Sequence, residues 1–160
     1  MDRRAFVTAV GVGSLAGVTG CIGNVVGTGM DEAKDPWRGV ETTEEGSTTT
    51  DAGEAVLPQD TYAPRSYERD DAFELAISFE VEGNNGIDVL TMLREEFENN
   101  YSEGNEAVYL TSVSELDATS GEVQGLLEAD DYVVVFDNTA WGDGSPQGEE
   151  TLSFSISVET

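Results

Sequence analysis

The chain has no histidine, one cysteine (Cys21), one lysine (Lys34) and four prolines, and its seven basic residues face 33 acidic ones for a formal charge of −26 over 160 residues. Each scarcity closes off a class of function. A surface this acidic repels polyanions, which excludes nucleic acid as a partner. Without histidine there is no imidazole general base, and a blue-copper centre, which needs two imidazoles beside its thiolate, is excluded as well. One thiol permits no disulfide framework within the chain. What remains for catalysis is a pair of carboxylates, as in glycoside hydrolysis, and among 33 acids no pair stands out. The expectation is a non-catalytic protein without a cofactor.

Long apolar runs are missing too. The uncharged stretch Ala5 to Gly20 has sixteen residues, which as a helix reach about 24 Å, short of a hydrocarbon core of about 30 Å. It follows Arg3, Arg4 and Phe6, and this order of charged, apolar and small residues resembles a twin-arginine export signal. Val18, Thr19 and Gly20 before Cys21 resemble a lipoprotein lipobox, which implies that Cys21 takes the lipid and becomes the mature N-terminus. One acyl chain holds a protein weakly and two hold it firmly, so a two-chain lipid is implied, with the protein on the outer face of the cell membrane.

Removal of residues 1–20 takes Asp2, Arg3 and Arg4 with it and leaves five basic against 32 acidic side chains. In dilute buffer that charge density opposes a compact state. At molar salt the screening length falls to about 3 Å, and the carboxylates then hold water and cations at the surface. The composition resembles that of haloarchaeal proteins.

The reading divides the chain into a signal at 1–20, a lipidated cysteine with a flexible acidic linker at 21–59, and a folded domain at 60–160. The linker assignment rests on a stretch rich in Gly, Thr, Asp and Glu with no apolar period. From Phe73 to Val81 apolar and polar residues alternate, which predicts a half-buried strand. Asn84-Asn85-Gly86 then predicts a hairpin turn with Ile87 to Met92 as its returning strand, and Leu93 to Asn99 suits a helical turn. Further strands are expected at Glu106–Val113, Gly121–Leu127, Tyr132–Phe136 and Leu152–Val158. The fold class is therefore all-β, an antiparallel sandwich of the jelly-roll kind with about six to eight strands.

The segment Leu127 to Thr139, a polar loop, and Leu152 to Val158 together resemble the end of small jelly-roll sandwiches such as the GOLD domain and the pre-peptidase C-terminal domain. In those families an acidic or glycine turn and a tyrosine precede a hydrophobic strand ending in Asp-Asn or a lone Asn, and an amphipathic strand closes the fold. The resemblance implies an accessory or binding module with no catalytic residues of its own.

Candidate sites are few. Asp137, Asn138 and Asp143 could hold a weakly bound cation such as Ca²⁺ through oxygen donors. Trp141 and Tyr109 are the aromatics expected to contact a ligand if they stand exposed. Asn100-Tyr101-Ser102 is a possible N-glycosylation sequon. The expected role is an envelope or protein-interaction component, with a solute- or carbohydrate-binding module as the alternative; the partners are the membrane and a surface protein or glycan. An uncovered strand edge would favour the first, and an exposed aromatic on a concave face the second.

Overall fold

The computed structural model describes residues 30–141 and 146–160. The export signal, the lipobox, Cys21 and Asp143 lie outside the described residues. Ten strands form two five-stranded sheets. In chain order they are β1 (Asp31–Glu32), β2 (Trp37–Glu45), β3 (Thr48–Leu57), β4 (Thr61–Glu68), β5 (Phe73–Val81), β6 (Ile87–Leu93), β7 (Glu115–Ala118), β8 (Ser120–Leu127), β9 (Asp131–Asn138) and β10 (Glu150–Glu159).

One sheet runs β2-β3-β10-β5-β8 and the other β1-β4-β9-β6-β7. The eight strands from β3 to β10 change sheet at every step but the one from β6 to β7, which is the connectivity of a jelly roll. β2 is added beside β3 through a two-residue turn whose Gly46 sits at φ 64°. β1 is added beside β4 and runs parallel to it.

Leu75, Ile77 and Phe79 of β5 and Leu152, Phe154 and Ile156 of β10 project into the space between the sheets, where Val134 and Phe136 of β9 meet them. Period two on β5 and β10 is the consequence, since the other face of that sheet meets solvent. β9 reads instead as a continuous run because both of its faces are covered. Its Val133 and Val135 lie in a second apolar layer with Tyr62, Leu90, Met92, Tyr101 and Trp141. That layer forms where the crossover from β6 to β7 folds over the sheet as a helical turn (Arg94–Glu96), a π-helical turn (Phe97–Tyr101) and an irregular stretch.

Three expectations are corrected. The stretch expected as linker is, from Asp31 onward, largely β1, β2 and β3. Its threonines are β-branched and suit strands, but no apolar period shows because the interior positions of β3 before Leu57 fall on Thr49, Asp51, Gly53 and Ala55, opposite Val158, Ile156, Phe154 and Leu152. The turn at Asn84-Asn85-Gly86 joins no hairpin: β5 and β6 belong to different sheets, and residues 82–86 carry the chain across the sandwich. Residues 106–113 form no strand. They run irregularly into a 3₁₀ turn at Thr111–Val113, although Ala107, Tyr109, Leu110 and Val113 are buried as their apolar character demands.

Candidate functional site

The residues expected to touch a ligand turn inward. Trp141 is 8% exposed and Tyr109 2% exposed. The Trp141 ring packs against Tyr101 at 5.1 Å and Tyr109 at 6.3 Å between centroids, and its Nε1 donates to the Asn105 carbonyl at 2.8 Å. Both aromatics therefore close the second apolar layer, and neither offers a platform to solvent. Asp137 and Asn138 follow one another along β9 and face opposite sides of the sheet, so they do not converge on one ion. Oδ1 of Asp137 accepts from the Thr139 amide at 2.7 Å, and the Asn138 side-chain amide donates to the carbonyls of Leu57 and Gly148 at 3.0 and 2.9 Å. Among the described residues no three Asp, Glu, Cys or His side chains cluster as metal ligands. Asn100 is half-buried in the π-helical turn, where its amide donates to Glu96 Oε2 at 2.9 Å.

A polar group stands where none was expected, between the sheets. Asp51 of β3 is 8% exposed and accepts from Thr42 Oγ1 at 2.6 Å, Arg65 Nη2 at 2.9 Å and the Tyr67 hydroxyl at 3.0 Å. The Arg65 guanidinium also lies over the Trp37 ring, 4.8 Å from its centroid. Burial pushes the Asp51 carboxyl up, and the three hydrogen bonds with the nearby guanidinium outweigh it, so the group titrates below its ordinary range. These residues fasten one sheet to the other.

The solvent-facing side of the β2-β3-β10-β5-β8 sheet carries small side chains. Ser155 stands opposite Ser78, and Ser78 opposite Glu122. An open trough of about 620 Å³ lies above them, walled by Glu80 and Glu122. One long side of this trough is β8, the last strand of its sheet.

The sheet edges differ in how they are protected. A free edge invites pairing with another chain, and proteins blunt it with short strands, charges, bulges or proline. β2 carries Arg38, Glu41, Glu44 and Glu45, with its register broken between Arg38 and Glu41. β7 has four residues and an irregular register. β1 has two residues, and the part of β4 beyond it carries Pro64. β8 is neither short nor bulged and holds no proline. Its eight residues pair with β5 without a break from Leu127 opposite Phe73 to Ser120 opposite Glu80, and they include one charge, Glu122. Leu126, at 76%, is the large apolar side chain that stands fully exposed among the described residues. No strand pairs with the other side of β8 among the described residues. In a chain this acidic, so lightly charged a strand was a readable signal; its place at an edge was not.

No family model matches the chain, and no curated protein is similar to it in sequence. Among solved structures it is similar to PliG of Aeromonas hydrophila, a periplasmic inhibitor of g-type lysozyme, at 11% identity and a TM-score of 0.36, over 81% of this chain and 96% of that one. A likeness at that level identifies neither a ligand nor a partner.

Proposed function

We propose that the protein is a twin-arginine-exported, Cys21-anchored lipoprotein of the haloarchaeal type, held on the outer face of the cell membrane. Its jelly roll, of the GOLD or pre-peptidase C-terminal kind, is non-catalytic and acts through protein interaction in the cell envelope. The export signal and lipobox support the address, and the mature composition supports a salt-rich milieu. The observation that carries the interaction is the β8 edge, continuous and nearly uncharged where the sheets' other edges are short, bulged or charged. An extended segment of a partner would add to β8 through main-chain hydrogen bonds, with its outward side chains beside Glu122, Gln124 and Leu126. The carbohydrate alternative called for an exposed aromatic and the loop at the end of the sandwich; Trp141 and Tyr109 are buried, and residues 142–145 of that loop lie outside the described residues.

A photo-crosslinking residue placed at Leu126 in the membrane-bound protein, with one at Glu44 on the β2 edge as comparison, tests the reading. Adducts with a protein from position 126 and few from position 44 are expected. Equal yields from both positions would overturn it.

A further inference from the structure

We infer that the strand added to β8 is β8 of a second copy, antiparallel, with Val123 on the two-fold axis. The inference rests on the interaction reading above and names its partner. Symmetry leaves few choices. Side chains opposite one another in an antiparallel pair share a face, so a two-fold through β8 must pass through a residue, and four central ones, 122 to 125, are available. Centring on Gly125 sets Glu122 against Glu128, just past the strand's end. Centring on Glu122 sets two carboxylates against each other, which is unfavourable. Centring on Gln124 sets Glu122 against Leu126 of the other copy. Centring on Val123 sets Glu122 against Gln124 twice over and Ser120 against Leu126 twice over, with no like charges opposed.

The Glu122–Gln124 pairing repeats one the sheet already uses. Gln124 Nε2 donates to Glu74 Oε1 on β5 at 2.6 Å. A side-chain amide carries two N–H donors, so Gln124 can bond Glu74 on one side and Glu122 of the second copy on the other. On the inner face Gly121 stands opposite Gly125 beside the Val123 pair, and the space over these glycines is filled by the chain's own Glu115, Ser112 and Val113, so the second strand adds in the plane of the sheet, at its edge. Two five-stranded sheets then run on as one of ten strands, and the two troughs lie side by side. An isologous contact of this kind closes on itself and does not propagate into fibres. Each mature copy is strongly acidic, so pairing strengthens with salt as the repulsion is screened.

The test uses the full chain with Cys21→Ser, which takes no lipid and leaves no native thiol, in salt that keeps its circular dichroism native. Sedimentation equilibrium is expected to show a monomer–dimer equilibrium that shifts to dimer with salt. Val123→Cys is expected to oxidise to a disulfide-linked dimer, while Ser120→Cys, set opposite residue 126 of the other copy, is not. Gln124→Glu opposes like charges twice and is expected to weaken the dimer about tenfold at the lowest salt that preserves the fold. Gln124→Lys, which faces Glu122, is expected to tighten it. A dimer indifferent to both Gln124 changes and not trapped by Val123→Cys would overturn the inference. A strict monomer whose position 126 still crosslinks to a different envelope protein would overturn self-pairing and leave the interaction reading standing. A strict monomer with no preferred adducts at 126 would overturn both.

Discussion

The Arg65 guanidinium on β4 donates to Asp51 on β3 at 2.9 Å, although the two strands belong to different sheets. This ion pair spans the interior of the sandwich, where bulk salt screens it far less than surface pairs. Removing one partner of such a pair strands the other. Asp51→Ala leaves the guanidinium beside the Trp37 and Phe154 rings with no carboxylate and deprives Thr42 and Tyr67 of their acceptor; the expected loss is on the order of 2–3 kcal/mol. Asp51→Asn keeps an acceptor for two of the three donors and should cost less. Urea midpoints of the two variants, in the same salt, check the order.

The pH dependence of stability follows from groups whose titration folding shifts. Asp51 titrates lower in the folded protein than its ordinary 3.8, so its contribution is present above that value and is lost as pH falls through the folded value. Tyr62, Tyr67, Tyr101 and Tyr132 are shifted the other way from 10.0, each chiefly by burial. Their contribution is complete below pH 10 and declines as pH rises past it, because the unfolded chain ionises first. An absorbance titration should therefore show these four phenols silent while the fold holds and ionising together with alkaline unfolding. Four independent titrations near pH 10 in the native protein would contradict the burial.

Asp88 and Asp137 are opposed in register on β6 and β9, and each is 2% exposed. Oδ1 of Asp88 accepts from the Asp117 amide at 2.7 Å, and Oδ1 of Asp137 is held by the Thr139 amide. Asp88→Asn retains the acceptor for the Asp117 amide, whereas Asp88→Ala removes it. Asp88→Ala is expected to be the less stable of the two by about 1–3 kcal/mol, and melting temperatures in the same salt and at the same pH check the order. Equal melting temperatures would show that the bond to Asp117 contributes nothing.

What the sequence disclosed, and what it concealed, has a physical pattern. Phe73–Val81 and Leu152–Val158 could be read because one face of each strand meets the core and the other meets water. Tyr132–Phe136 could be read as central because only a strand covered on both faces is apolar throughout. β3 could not be read, since its interior positions before Leu57 hold Thr49, Asp51, Gly53 and Ala55. One of them, Gly53, lies where a Cβ would come within 2.7 Å of Val40 Cα, so the bulge of β2 fills the space that a side chain fills elsewhere. The partners of Asp51 were equally hidden, because Arg65 comes to it from the opposite sheet. As for the candidate sites, what buries Trp141 is a crossover whose path no periodicity announces.

The reassignment of residues 31–57 has a direct consequence for truncation. A chain beginning at residue 60, the boundary the composition suggests, lacks the neighbour that pairs with β10 along its whole length from Glu150 to Glu159. It also lacks Asp51, leaving the half-buried Arg65 without its carboxylate. Such a chain is expected to aggregate or remain unfolded, whereas one beginning at Met30 should give a cooperative thermal transition. Cooperative folding from residue 60 would show β3 to be dispensable.

The early start of the fold also changes the geometry of the anchor. Only Cys21 to Gly29 separate the proposed lipid from the first described residue, nine residues that span at most about 32 Å when fully extended. A long acidic spacer would have allowed the domain to stand well clear of the bilayer. In the proposed arrangement the shorter leash would keep the sandwich and its 32 carboxylates close to the membrane, where anionic headgroups would repel them unless salt screens the contact, and the lipid would be the attachment. Cys21→Ser is expected to release it into the soluble fraction, or to leave it unprocessed, with the β-rich circular dichroism unchanged. Mature protein that stayed in the membrane fraction at low salt without its thiol would show that another part of the chain supplies the attachment.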